Sequence, residues 1–361
     1  MYTTNLFKPF SLKSLNTRNR FVMSAMTRSF SPEGIPGDNV AAYYRRRAEG
    51  EVGLIISEGT LVERPSAAGR RDVPQFYGAR ALAGWQKVID GVLAAGAQMA
   101  PQLWHSGIQE TLGSSGILPL PCEGPSGIGN GWAMTDADIA DTIAAFGQAA
   151  ANAKAMGFNS VEIQGAHGYL LDQFFWEDTN QRTDFFGGKT LAERSRFAVE
   201  VIKEVRKQVG AGFALIMRVS QWKFTDYDSK LAKDPEEMAS WLTPLADAGV
   251  DIFHCSTRRF WQPEFEGSDL NMAGWAKKLT GKATITVGSV GLDSDITALY
   301  RGQNSVPASI DELVRRMDNG EFDLVAVGRS LLADPYWVQK IRDGRNNELQ
   351  GFNAAALGTL I

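Results

Sequence analysis

The chain has 361 residues, 44% hydrophobic and 22% charged, with a formal net charge of −4 at pH 7. That balance carries no electrostatic footprint for nucleic acid, and two cysteines, Cys122 and Cys255, make no disulfide framework, which fits a reducing compartment. No apolar run reaches membrane-spanning length, and three histidines without a CxxC or HExxH string leave little scope for a metal site. The expectation is a cytoplasmic protein that engages a small molecule and neither nucleic acid nor membrane. Assembly into a homo-oligomer stays open.

Eight short apolar runs recur along the chain: Phe21–Ala25, Gly53–Ser57, Gln98–Trp104, Ser160–Gln164, Phe213–Ser220, Val250–Ser256, Ala283–Gly288 and Asp323–Gly328. Most are apolar at successive positions, as parallel strands covered on both faces should be. The segments between them read as helices. Trp85, Val88, Ile89, Val92 and Leu93 follow a 3.6-residue period. Thr135 and Asp138 have capping-box spacing, opening a helix with Ile139, Ile143, Phe146 and Ala150 on one face. Leu191 to Val209 reads as one helix that Gly210 ends. Asp234 and Pro235 start another, closed at Gly249, with Pro244 as a defect that would bend it. Ser309 and Glu312 have capping-box spacing again, and Gly320 stops that helix. Gly124–Gly131 reads as a long loop.

Eight β–α units predict a single-domain (β/α)8 TIM barrel over residues 1–361. The rival is a doubly wound open sheet, which would carry a glycine-rich fingerprint after its first strand. Here Ala25, Met26, Thr27 and Arg28 follow instead.

Barrel chemistry gathers at the C-terminal ends of the strands. The fourth strand ends in Gln164, then His167, then Tyr169, placing an amide, an imidazole and a phenol within six residues. Such a group can grip and protonate a small molecule. Thr27, Gln102 and Arg218 end strands one, three and five. Their hydroxyl, amide and guanidinium match the alternating acceptors and donors of a flavin edge, while Arg218 could equally be a buried ion pair with Glu162. Gly288 and Gly328 end strands seven and eight, where barrels bind phosphate, and Arg329 adds a bidentate cation. Trp104, Trp222, Phe260 and Trp261 would give the mouth an aromatic lining. Arg258 and Arg259 would meet a substrate carboxylate, a nicotinamide cofactor's phosphate, or solvent. The charged segment from Trp222 to Ala232 reads as a surface excursion or a lid.

Taken in order, these strings resemble the Old Yellow Enzyme family of FMN-dependent ene-reductases. The resemblance rests on Asn19-Arg20, Ala25 to Arg28, Tyr44 to Ala48, Gly53 to Thr60, Gln102 to Gly107, His167 to Leu170, Asn180 to Asp184, Arg218 to Ser220, and Gly328-Arg329. It implies non-covalent FMN, reduced by NADPH or NADH, with hydride passing from flavin N5 to the β-carbon of an activated alkene. By position, Ala25, Met26, Thr27, Gly59, Gln102 and Arg218 would contact the isoalloxazine. Gly288, Ser289, Gly328 and Arg329 would hold the phosphate. Tyr169 would protonate the α-carbon, with Gln164 and His167 holding the carbonyl or nitro oxygen. Two positions depart from the family pattern: Gln164 stands where histidine is usual, and Ile108 stands where an arginine commonly closes the Gln-Leu-Trp-His string. The alternatives are an FMN-dependent oxidative demethylase or amine dehydrogenase on the same barrel, and a barrel that binds flavin without turnover.

Overall fold

The structure is a computed structural model that describes residues 5–67, 72–108, 122–128 and 131–361. A short antiparallel hairpin comes first, β1 (Phe10–Leu12) against β2 (Leu15–Thr17). Then follow β3 (Phe21–Met23), α1 (Asp38–Glu49), β4 (Leu54–Leu61), α2 (Ala79–Ala94) and β5 (Gln98–Trp104). Two-residue strands β6 (Glu123–Gly124) and β7 (Trp132–Ala133) pair with each other before α3 (Asp136–Ala155). The chain continues through β8 (Ser160–His167), α4 (Leu170–Phe175), α5 (Leu191–Arg194), α6 (Arg196–Val209), β9 (Ala214–Lys223), α7 (Pro235–Ala248) and β10 (Ile252–Ser256). It closes with α8 (Met272–Thr280), β11 (Ala283–Val287), α9 (Ile296–Tyr300), α10 (Asp311–Asp318), β12 (Leu324–Val327), α11 (Arg329–Ala333) and α12 (Trp337–Arg342).

The strands β3, β4, β5, β8, β9, β10, β11 and β12 form one closed parallel barrel, with β12 returning to pair with β3. All eight expected strands are present, and the fold is the (β/α)8 barrel. Side chains alternate across the barrel wall as the pleat requires. Val22, Leu54, Ile56, Ala100, Ile216, Ile252, Ile285 and Leu324 point inward and form an aliphatic centre. Phe21, Met23, Ile55, Met99, Phe253 and Val325 point outward into the larger core under the helices. Phe10, Leu12 and Leu15 of the hairpin pack onto the inner cluster from the N-terminal end of the barrel. Truncating one of these inner aliphatics to alanine costs roughly 2–5 kcal/mol, because the closed wall cannot collapse around the gap.

Several local expectations are corrected. Leu191–Val209 is two helices, broken at Ser195, and the first is opened by a capping box of Thr190 with Glu193. Ser309 and Glu312 do not form a capping box: Ile310 holds the N-cap position, and Ser309 Oγ accepts from Asp311 N–H. Pro244 lies inside α7 without ending it. The Gly124–Gly131 stretch is bracketed by β6 and β7, with its positions 129–130 outside the described residues. Among the described residues, no helix is long and apolar enough to cross a membrane.

Candidate active site

A cavity of about 410 Å³ opens at the C-terminal ends of the strands. It gathers Ala25, Met26 and Thr27 from the end of β3, Gly59 from β4, and Gln102 and Trp104 from β5. Gln164, His167 and Tyr169 come from β8 and the turn after it, Arg218 and Trp222 from β9. Gly288 and Ser289 follow β11, and Gly328 and Arg329 follow β12. Of the residues expected at the site, all but Phe260, Trp261 and Arg259 therefore reach one cavity. Phe260 is buried in the outer core, with its ring edge-on to Trp261 and its N–H on Gly288 O. It supports the Gly288 turn from behind, and neither it nor Trp261 faces the cavity.

The turn after β3 is fixed by Glu58. Its Oε2 accepts N–H groups from Arg28 (2.8 Å) and Ser29 (3.0 Å), while Oε1 is buried without a partner. Burial pushes this carboxyl up to about 7, against the backbone donors that favour its charge. Thr27 and Met26 are thus held at the cavity by a carboxyl that does not itself face it.

Beneath the cavity lies a buried polar network. Glu162 accepts from Gln102 Nε2 through Oε1 (2.7 Å) and meets His254 Nδ1 through Oε2 (2.7 Å). Glu162, which the alternative reading of Arg218 would pair with that guanidinium, pairs instead with His254, which points inward from β10. Burial opposes the Glu162 charge, but His254, Arg218 and Gln102 outweigh it and hold the carboxyl below its usual range. Among the described residues, Arg218 bonds only neutral oxygens: Ala25 O (3.1 Å), Ser24 Oγ (3.2 Å) and Ser256 Oγ (3.5 Å). Its Nε is buried with no partner. A buried guanidinium without a bonded carboxylate, aimed into a cavity, is the arrangement that receives an electron-rich ring edge.

At β8 the pairing with β9 is regular to Gln164 opposite Arg218 and Gly165 opposite Val219, then shifts before His167. This bulge re-aims the chain, and His167 sits at φ +67°, a left-handed conformation uncommon for a side-chain-bearing residue. Its N–H donates to Ser220 Oγ (2.9 Å), and its Nε2 lies 2.8 Å from Ser256 Oγ. Burial, with help from the Arg218 and His254 charges, holds the imidazole well below the usual histidine range, so it is neutral at pH 7. Gln164 Nε2 lies 3.4 Å from His167 Nδ1, and its Oε1 is buried and unpartnered. Tyr169 begins α4, edge-on to Trp104 with ring centroids 5.0 Å apart. Burial pushes its phenol up to about 12.

At the other end, Gly288 has φ +143°, and a Cβ there would sit 2.7 Å from Thr257 O, so only glycine fits. Ser289 follows at φ +53°. Arg329 bonds Ser305 Oγ (2.8 Å), Ser289 Oγ (3.2 Å), Asp295 O (3.2 Å) and Ser294 O, all neutral. A guanidinium held by neutral oxygens beside a glycine turn is a cradle for a dianion. The cavity joins this cradle to Arg218, and the two cationic ends, the unpartnered Arg218 Nε and the Gly288 turn fit FMN.

Sequence reasoning missed part of the wall. Phe224 lines it from the loop after β9, Tyr300 from the end of α9, and Phe352 and Leu357 from the C-terminal segment. Leu357 is positioned by Arg28, whose Nη2 donates to Ala356 O (3.0 Å) and Leu357 O (3.4 Å). No motif marks these positions, because single hydrophobic residues in loops, or at the end of a helix as short as α9, show no periodicity of their own. Arg258 also reaches the cavity and pairs with the exposed Asp228 (3.3 Å), whereas Arg259 pairs with Asp295 (2.9 Å).

The NADH:flavin oxidoreductase / NADH oxidase family profile matches residues 5–348. An NADH oxidase of Thermoanaerobacter brockii is 31% identical over 99% of this chain, which spans only 53% of that longer protein. An NADPH dehydrogenase of Bacillus subtilis is 31% identical over 95% of this chain and 96% of its own length. Among solved structures, morphinone reductase superposes with a TM-score of 0.79 at 26% identity, covering 98% of this chain and 93% of that one. The chain belongs to the NADH:flavin oxidoreductase / NADH oxidase family, the group of the Old Yellow Enzymes, and is an FMN-dependent NAD(P)H oxidoreductase.

Proposed function

We propose that the protein reduces the carbon–carbon double bond of α,β-unsaturated carbonyl or nitro compounds. The observation that carries this reading is one wall of the cavity, where a protonated phenol, a neutral imidazole and a carboxamide stand together. Bound FMN would supply hydride chemistry, taking hydride from NAD(P)H and giving it to the alkene's β-carbon. Thr27, Gln102 and Arg218 would hold the ring edge, with Gln102 Nε2 already committed to Glu162 and its oxygen left for the ring. Ser289 and Arg329 would hold the phosphate, with Gly288 and Gly328 giving it close backbone approach.

The chain's own residues then perform three tasks. Gln164, oriented by His167 behind it, binds the carbonyl or nitro oxygen and draws electron density from the double bond. Neither residue is cationic, so the polarisation comes through hydrogen bonds alone. Tyr169 delivers its proton to the α-carbon, so hydride and proton together complete the two-hydrogen addition. Trp104, Trp222 and Phe224 exclude water from the reacting face.

The test is direct. The holoenzyme, reduced anaerobically with NADPH, is mixed with cyclohex-2-enone. Reoxidation with stoichiometric cyclohexanone supports the reading. Reoxidation by oxygen alone, with cyclohexenone recovered intact, would overturn it.

A further inference from the structure

His167 stands between two partners, and its neutral ring has one N–H and one lone pair to divide between them. Nε2 faces Ser256 Oγ at 2.8 Å, and Nδ1 faces the Gln164 amide at 3.4 Å. If the hydrogen sits on Nε2, it goes to Ser256, Nδ1 accepts from the Gln164 amide nitrogen, and Gln164 Oε1 faces the cavity. If it sits on Nδ1, it goes to Gln164 Oε1, the serine hydroxyl donates to Nε2, and the Gln164 N–H groups face the cavity. The two ends of a carboxamide are alike in shape, so a half-turn exchanges them without repacking.

Ser256 distinguishes the two arrangements. Arg218 Nη2 lies 3.5 Å from its Oγ, and a guanidinium can only donate. The oxygen therefore accepts from Arg218, and His167 Nε2 is the acceptor adjacent to the hydroxyl proton. The Nε2–H arrangement would make this buried hydroxyl accept twice and leave its proton without that acceptor. It would also keep Gln164 Oε1 buried with no donor. The Nδ1–H arrangement satisfies both oxygens and leaves only N–H donors looking into the cavity.

We infer that Ser256 fixes His167 as the Nδ1–H tautomer and so turns the Gln164 amide to present N–H donors to the substrate oxygen. Ser256 is thereby a positioning and specificity-determining residue on β10, remote in sequence from the groups it sets. The inference rests on the oxygen-binding reading of this wall. With the opposite tautomer the same residues would present an acceptor, suited to an N–H of an amine and not to a carbonyl.

The tautomer can be read without turnover. The chain has three histidines, so the imidazole nitrogens of 15N-histidine-labelled, FMN-loaded enzyme form a small set, and His167→Gln identifies the signals of interest. The expected spectrum has a protonated Nδ1 and a bare Nε2 at His167. Ser256→Ala should convert it to Nε2–H or to a mixture, and Ser256→Thr should restore the original pattern. In kinetics with cyclohexenone, Ser256→Ala should raise KM about tenfold while kcat changes less. A wild-type His167 protonated at Nε2 overturns the inference, as does a tautomer that ignores Ser256→Ala. An enzyme that reduces cyclohexenone with Nε2–H would retain the proposed reaction and refute this tautomer. An Nδ1–H enzyme inert to cyclohexenone would do the reverse.

Discussion

The imidazole of His167 lies nearly parallel to the indole of Trp222, with ring centroids 4.5 Å apart and planes at 28°. Tyr227 stacks on Trp222 at 5.2 Å and 18°, and Trp222 Nε1 donates to Ser256 O at 3.1 Å. The end of β9 and the segment after it therefore press an aromatic sandwich onto the imidazole. Stacking of this kind adds about 0.5–1.5 kcal/mol beyond buried area. Trp222→Ala is expected to raise KM for cyclohexenone roughly three- to tenfold, and Trp222→Phe should recover most of the loss. Steady-state kinetics that do not distinguish alanine from wild type would remove Trp222 from substrate binding.

Tyr169 is the proposed acid. Its phenol is raised from 10 to about 12, and the protonated form is the active one, so the rate should hold level from pH 7 to 9 and fall only toward pH 12. Tyr169→Phe should slow the oxidative half-reaction on the order of 10²–10⁴-fold, with flavin reduction by NADPH changed little. Stopped-flow of the two half-reactions separates these effects, and equal losses in both would refute the assignment.

Among the described residues, Arg329 is bonded to neutral oxygens only, so a bound phosphate would be its charge partner. Arg329→Ala should weaken FMN binding by about 2–5 kcal/mol, roughly 30- to 4,000-fold. Arg329→Lys should recover part of this, since the ammonium lacks the planar fork. Quenching of FMN fluorescence on titration with apoprotein measures it. Unaltered affinity in the alanine variant would place the phosphate elsewhere.

Glu58 gives a pH signature. Its folded value is about 7 against a reference of 4.5, so the folded state holds a proton that the unfolded state has released between those values. Stability from this group is present below pH 4.5, declines as pH rises toward 7 and is gone above it. Glu58→Gln removes that decline. Relative to wild type, the variant should gain on the order of 3 kcal/mol between pH 4.5 and 7. Urea denaturation at several pH values reads the difference, and a pH-independent gap would show that Glu58 titrates normally.

The barrel was legible because each strand is short, apolar on both faces and followed by a helix with its own period. Gln164, His167 and Tyr169 were legible because three polar residues at the end of such a strand have no packing role there. Other features depend on contacts that distant segments create. Glu162 finds His254 and not Arg218 because β10 aims its imidazole into the same interior. The β1–β2 hairpin escaped notice because its alternation, Phe10-Ser-Leu and Leu15-Asn-Thr, lasts only three residues per strand. Ser256 ended a predicted strand without any assigned role, since its importance comes from Arg218 on one side and His167 on the other. Phe260 has the right sequence position for the mouth, but the chain turns it outward into the core.

The hairpin at the opposite end has a kinetic consequence. Phe10, Leu12 and Leu15 stopper a barrel whose centre is already solid with aliphatic side chains, so traffic to the cavity passes through its mouth. The nicotinamide donor and the molecule to be reduced must use the same doorway. Because they share one entrance, an excess of either should obstruct the other's turn.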